Sequence, residues 1–210
     1  YCADVTALDT EVGRLLNALA EMNLEENTIV IFSSDNGPGP NKLSGLEPRY
    51  KETPLLINNV GSPGPFRDRK SYLHDGGIHV PFFVRWPKHI KAGVVNEETI
   101  FGGVDLFPTL AALVGAPVPK GLDGENLSAL FLGAETSRAE PLYWNDRPGW
   151  SALRDGKWKA HVARGEFSLF DLSVDPSESK NLAKDFPEVA DKYRQKLEAW
   201  EASIPKTKKK

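Results

Sequence analysis

Apolar residues recur at helical spacing near the start of the chain: Val5, Leu8, Val12, Leu15, Leu16, Leu19 and Met22. They predict an amphipathic helix over residues 3–22, stopped at Asn23 and followed by a short turn at residues 25–27. The pattern then changes. Thr28-Ile29-Val30-Ile31-Phe32 is an unbroken run of β-branched and aromatic residues without alternation. Such a run predicts a strand buried on both faces, the kind found in parallel sheets. Helix, short loop and buried strand make half of a βαβ unit, and the sequence holds no strand before the helix, so it reads as entering a domain part-way.

The strand breaks abruptly into Ser33-Ser34-Asp35-Asn36-Gly37. In open α/β sheets ligands bind beyond the carboxyl ends of the strands, where Asp35 and Asn36 would stand. Two adjacent oxygen donors suit a hard cation such as calcium or magnesium, provided the chain turns so that both reach one ion. Asn-Gly turns readily, and a plain strand-to-loop turn is the commoner use of such a pair.

Residues 38–65 hold many Pro, Gly and Asn residues and predict a long loop, with a short strand at Leu55-Leu56-Ile57. Gly76-Gly77 marks a tight turn or a close backbone approach. Phe82-Phe83-Val84-Arg85-Trp86 reads as a second core strand ended by Pro87, and Ile100 to Val104 as a weaker third. Asp105 is placed to cap a helix from Leu106 to Val114, with Pro108 in its first turn and Gly115 just past its end. A short helix is expected over residues 125–132. From about Glu140 the rhythm shortens into strands at 142–144, 150–153, 157–162 and 167–170, with Asp155-Gly156 as a hairpin turn. Pro187 opens a last helix with the stripe Val189, Tyr193, Leu197 and Trp200. The expected organisation is an α/β domain over residues 1–138, a small antiparallel sheet with one helix over 139–204, and a basic tail at 205–210.

Composition adds exclusions. The chain has 210 residues, 40% hydrophobic and 26% charged, with a net charge of −3 and a pI near 5.9. That balance argues against a general nucleic-acid-binding role and makes the lysine-rich end a solvated tail. A single cysteine, Cys2, rules out an internal disulfide. No apolar run approaches the length of a membrane span.

Candidate chemistry comes into focus when the motifs are taken in order. Ser33-Ser34-Asp35-Asn36-Gly37 is followed by Gly64-Pro65-Phe66-Arg67-Asp68-Arg69-Lys70, then Asp75-Gly76-Gly77-Ile78-His79-Val80-Pro81-Phe82 and Arg85-Trp86-Pro87. Further on stand Asp105-Leu106-Phe107-Pro108-Thr109, Leu122-Asp123-Gly124, Leu153-Arg154-Asp155-Gly156-Lys157-Trp158-Lys159, Phe170-Asp171-Leu172, Asp175-Pro176 and Asn181-Leu182-Ala183. This ordered set, spanning nearly the whole chain, resembles the C-terminal half of the type I sulfatases, of the arylsulfatase and N-acetylgalactosamine-6-sulfatase kind.

The resemblance implies an alkaline-phosphatase-like fold: a large α/β domain with a small C-terminal sheet-and-helix domain. It implies that Asp35 and Asn36 are two of four protein ligands to one calcium ion, and that Lys70 contacts the sulfate of the substrate. His74 lies nearest in sequence to that site and is a candidate substrate contact. Histidine in place of Asn36 is usual in related phosphatases and phosphonate hydrolases, so Asn36 leans toward a hard ion and sulfate chemistry. Three positions depart from the family pattern. Asp75 stands where glutamate is usual and His79 where arginine is usual, both read as structural. Arg69 stands where glycine is common, altering the pocket or adding positive charge for an anionic sugar. The family nucleophile is a formylglycine made within Cys-x-Pro-x-Arg, and Cys2 has no such context. The histidines His74, His79, His89 and His161 show no metal-ligand spacing.

The expected function is the C-terminal part of a calcium-dependent sulfuric ester hydrolase acting on a carbohydrate or aryl sulfate, inactive by itself because formylglycine and half the metal shell are missing. Alternatives are a phosphatase or phosphonate hydrolase of the same fold, or a non-catalytic segment that binds sulfated glycans. The resemblance also suggests a periplasmic, secreted or lysosomal setting.

Overall fold

The structure, a computed structural model, describes residues 2–39 and 61–205. The short strand expected at Leu55-Leu56-Ile57 and the end of the basic tail fall outside them. The described residues gather into two compact units. One takes its residues from Tyr1–Ser33 and Pro81–Ala139, the other from Ser34–Val80 and Glu140–Lys210. Residues 34–39 and 61–80 therefore cluster with the C-terminal sheet, not with the stretches that flank them in sequence.

In the first unit, α1 (Cys2–Glu21) follows the predicted periodicity. Strand β1 (Val30–Ser33) pairs antiparallel with β2 (Phe82–Arg85), with Phe32 opposite Phe83. This corrects the expectation of a parallel strand buried on both faces. An apolar run establishes extended backbone but not the direction or number of its neighbours. Among the described residues β1 has one partner strand, and Phe32 and Phe83 remain 39% and 63% exposed. With Val5, Leu8, Val12 and Leu16 they line an open groove.

The strand expected at residues 100–104 is absent; Gly103–Asp105 forms a 3₁₀ turn leading into α3 (Leu106–Leu113). Asp105 does not cap α3. Its backbone is already helical, at φ −81° and ψ −16°, so its carboxylate cannot reach forward as an N-cap does. It turns back to accept from Gly102 N–H (2.8 Å) and across to Glu125 N–H (2.8 Å), and it pairs with Arg138. The second short helix, α4, is confined to Ser128–Phe131.

In the second unit α2 is a single turn, Asp75–Ile78. Strands β3 (Leu142–Arg147), β4 (Trp150–Asp155), β5 (Trp158–Ala163) and β6 (Glu166–Asp171) form an antiparallel meander in sequence order. The β4–β5 hairpin turns at Asp155-Gly156, where Gly156 adopts φ 53°, a value that costs a glycine nothing sterically. Side chains alternate across the sheet. Leu153, Ala160 and Leu169 stand in register on one face and pack against Ala190, Tyr193 and Leu197 of α5 (Pro187–Ser203). Trp200 stacks on Tyr143 with ring centroids 5.0 Å apart.

The opposite face of this sheet presents Arg154, Lys159, His161 and Phe170, and the segment around α2 covers it. Asp75 reaches Lys159, and His74 lies against both His161 and Phe170. Both faces of the sheet are thus buried, one by a helix and one by a loop segment from far upstream.

Candidate active site

Asp35 and Asn36 sit in a bend held from within by Ser34 Oγ, which donates to Asn36 O at 2.8 Å. Gly37 then passes against α2. Its N–H donates to Gly77 O at 2.9 Å, and a Cβ built on Gly37 would fall 1.8 Å from Gly76 O. Gly76 is itself pressed on the next segment: its N–H donates to Arg67 O at 2.8 Å, and a Cβ there would lie 2.3 Å from that oxygen. Gly77 is pressed in the same way on Arg69 O and Tyr72 O. Glycine at these positions permits backbone-to-backbone contact that any side chain would prevent.

Lys70 belongs to the same stack. Its N–H donates to Pro38 O at 3.0 Å, and Tyr72 N–H closes a turn onto Arg69 O at 3.1 Å. Ser71, third in that turn, has φ 76°, the sign a type II turn demands at that position. Asp68 on the other side has φ 61°. Two non-glycine residues in the left-handed region bracket Arg69-Lys70, a form of stored strain that clusters at functional loops. The turn lifts the Lys70 side chain into solvent.

Among the described residues, the Asp35 carboxylate, the Asn36 amide and the Lys70 ammonium take part in no hydrogen bond or ion pair. Asp35 and Lys70 are exposed and Asn36 half-buried. The chemistry of the donors fits calcium: one carboxylate and one amide oxygen are hard ligands, and neither is a nitrogen or sulfur ligand favoured by softer metals. Two side chains fall short of the six to eight oxygens that calcium takes, and no cluster of three or more Asp, Glu, His or Cys groups exists among the described residues.

Arg69 is not free to meet an anion. Its Nη1 points to Gly39 O (3.3 Å) and Gly61 O (3.4 Å), so one guanidinium holds the two carbonyls that flank residues 40–60. His74 is 6% exposed and its Nδ1 lies 2.7 Å from Asp68 Oδ2. Burial, reinforced by the charge of Arg67, pushes its pKa down despite Asp68, so the ring is neutral and Nδ1–H donates to the carboxylate. It fixes the Asp68 side of the Lys70 turn from inside. His79 leans on Phe66 (4.4 Å) and on Asp75 (3.4 Å).

Beneath the stack lies a buried ionic cluster. Lys159 Nζ, with no solvent exposure, meets Asp75 Oδ1 at 2.6 Å and Glu178 Oε1 at 2.8 Å. Glu178 Oε2 accepts from Asp75 N–H at 2.6 Å, and Glu178 O accepts from Arg67 Nη1 at 2.9 Å. Burial raises the Asp75 pKa, but the His79 hydrogen bond and the charge of Lys159 outweigh it and hold the carboxyl well below its usual range. For Glu178 burial wins and the pKa is raised. Sequence reasoning gave Lys159 and Glu178 no role. A strand lysine ordinarily reads as solvated; the one local signal was that Lys159 shares a face with His161 on a strand whose other face is also apolar.

Comparison with known proteins identifies the family. The sulfatase family model matches residues 1–116, and the model described as N-sulphoglucosamine sulphohydrolase, C-terminal, matches residues 64–203. Human arylsulfatase A is 36% identical over 204 residues, covering 83% of this chain and 37% of that protein. N-acetylgalactosamine-6-O-sulfatase of Bacteroides thetaiotaomicron is 31% identical, covering 93% of this chain and 40% of the relative. The crystal structure of Ps i-CgsB in complex with k-i-k-neocarrahexaose superposes with a TM-score of 0.76 at 32% identity, covering 93% of this chain and 41% of that one. The chain belongs to the sulfatase family. Its fold is the alkaline-phosphatase-like fold of these neighbours, and it spans about two-fifths of the length of the relatives it matches.

Proposed function

We propose that this chain is the part of a sulfuric ester hydrolase that supplies Asp35 and Asn36 as oxygen ligands to a calcium ion and Lys70 as the ammonium that contacts the substrate sulfate. The observation that carries this reading is that three polar side chains with no partner among the described residues, Asp35, Asn36 and Lys70, stand on loops locked backbone to backbone through Gly37, Gly76 and Gly77. Functional groups held on rigid supports but left without partners suit a ligand that arrives from outside.

The chemistry follows from charge. A sulfate ester is anionic, and its departing alcohol oxygen develops further negative charge. Lys70 places a positive charge where the sulfate would lie and orients it by hydrogen bonding. A calcium ion at Asp35 and Asn36 would add Lewis-acid stabilisation of the same charge. Cys2 is exposed on α1 and lacks the Cys-x-Pro-x-Arg context, so the nucleophile and the remaining calcium ligands come from polypeptide outside these residues. The name of the N-acetylgalactosamine-6-O-sulfatase relative supports a sulfated carbohydrate as substrate.

By itself the chain should release no product from 4-nitrophenyl sulfate. Joined to the N-terminal part of the Bacteroides thetaiotaomicron relative, in place of that enzyme's matching segment, it should restore calcium-dependent sulfate release. Turnover by the chain alone contradicts the proposal. So does a folded chimaera that hydrolyses 4-nitrophenyl phosphate and no sulfate ester, the outcome a phosphatase of this fold would give.

A further inference from the structure

We propose that Lys159, on a strand of the C-terminal sheet, is a positioning residue that sets where Asp35, Asn36 and Lys70 stand. The inference rests on the function proposed above, because it assigns a role toward that site. Lys159 touches none of the three residues. It acts through Asp75, which it holds at 2.6 Å while Glu178 holds the Asp75 N–H at 2.6 Å. Asp75 opens α2, so the carboxylate and the amide of its first residue are both fixed to one buried pair. The next two residues pass that position on. Gly76 is bonded to Arg67 O and Gly77 O receives Gly37 N–H. Gly37 adjoins Asn36. On the other branch Arg67 is held by Glu178 O, and Lys70 is tied to Pro38 O in the loop that Gly37 begins.

Every link in this relay is a direct contact: the links at Gly37 and Gly76 run backbone to backbone with glycine on at least one side, Lys70 N–H meets Pro38 O directly, and Arg67 enters through its guanidinium. A displacement of Asp75 is therefore transmitted to both branches at once. The location of the cluster is what a positioning role requires. Lys159 is wholly buried on the sheet face that meets α2, whereas the hydrophobic core of the unit lies on the other face with α5. Replacing a buried lysine there leaves the α5 core intact and removes the ammonium that holds the Asp75 carboxylate at 2.6 Å. An apolar replacement also leaves two buried carboxyl groups facing each other, which repel or take up a proton.

Amide hydrogen exchange on the 210-residue chain, resolved by residue, tests the inference. In Lys159→Met, exchange at the Gly37, Lys70 and Gly76 amides should rise on the order of tenfold or more, while the β5–β6 ladder amides keep their protection. Lys184→Met, an exposed lysine on the same unit, should change neither set. If Lys159→Met does not fold, Asp75→Asn is read at the same amides; it keeps the volume and an oxygen for Lys159, loses the charge, and should give a smaller rise at the same positions. Unchanged exchange at Gly37 and Lys70 in a folded variant overturns the proposal. A uniform rise through the β-ladder also overturns it, because that is the signature of a lysine that only stabilises the fold. The readout needs no turnover, so its failure is separate from failure of the sulfatase reading, which the chimaera reports.

Discussion

Gly37→Ala is the most direct probe of how the two site loops are held. The added Cβ would lie 1.8 Å from Gly76 O and 2.8 Å from Gly76 C, where real Cβ atoms essentially never come closer than 3.0 Å. The two backbones would have to part by more than an ångström. Gly76 is itself crowded by Arg67 O and Asp68 O and bonded to Arg67 O, which restrains it from receding. The Gly37 loop must move instead, and the Gly37–Gly77 hydrogen bond, now 2.9 Å, breaks. A lost backbone hydrogen bond costs about 0.5–1.5 kcal/mol, and overpacking against fixed atoms about 1–3 kcal/mol. Against this, alanine restricts the unfolded chain and returns at most about 1 kcal/mol. Collision wins, and the expected net loss is about 1–3 kcal/mol. Urea unfolding followed by near-ultraviolet circular dichroism measures it. Gly13→Ala is the control: it lies within α1 with nothing within 4 Å of its Cβ, and it should stabilise by about 0.5–1 kcal/mol. A Gly37→Ala chain within about 0.5 kcal/mol of wild type would refute the close approach of these loops.

Three further outcomes concern the second unit. Burial, helped by the neighbouring positive groups, brings His161 down to about 3 against roughly 6.5 in an unfolded chain. The unfolded chain binds the extra proton, so this contribution is fully present above about pH 6.5 and is lost as pH falls toward 3, by up to about 1.4 kcal/mol per pH unit. Asp75, also held low, adds its own loss only below about pH 4. Urea midpoints between these limits should fall with pH in the wild type and flatten in His161→Gln; an equal slope in both would contradict the assignment. Leu197 is 1% exposed against the β4–β6 face, and Leu197→Ala should cost about 2–5 kcal/mol in the same assay. Val174, 78% exposed, should tolerate alanine within about 0.5 kcal/mol.

The contrast between Leu197 and Lys159 shows what the sequence made legible. Leu197 belongs to a helical stripe with Val189, Tyr193 and Trp200, and the β4–β5 hairpin announces itself through alternation around Asp155-Gly156. Both are local patterns, and both elements form where the pattern puts them. Lys159 is buried for a non-local reason: a segment more than eighty residues upstream covers its face of the sheet, and no period along β5 encodes that. Asp105 misleads in the same way. Its position before Leu106 is that of a cap, yet its partners are Glu125 and Arg138, brought close by the chain's return. The apolar run at 28–32 gave a strand but not its antiparallel partner. At the candidate site, residue types made Asp35 and Asn36 candidates, the family resemblance added Lys70, and Gly76-Gly77 signalled a close approach. What the approach was to, Gly37 on one side and Arg67 to Tyr72 on the other, required coordinates.

The proposed calcium-dependent sulfatase site rests on Asp35, Asn36 and Lys70. The measurement that tests it most directly is the kcat and KM for a sulfate ester of the chimaera built with this chain, compared among wild type, Asp35→Ala and Lys70→Ala, each with calcium present and after chelation. Chelation should abolish turnover in the wild type, and each folded variant should lose roughly a hundredfold or more in kcat/KM, as expected when a charge-stabilising group is removed. Turnover that survives chelation, or that persists undiminished in Asp35→Ala and Lys70→Ala, would contradict it.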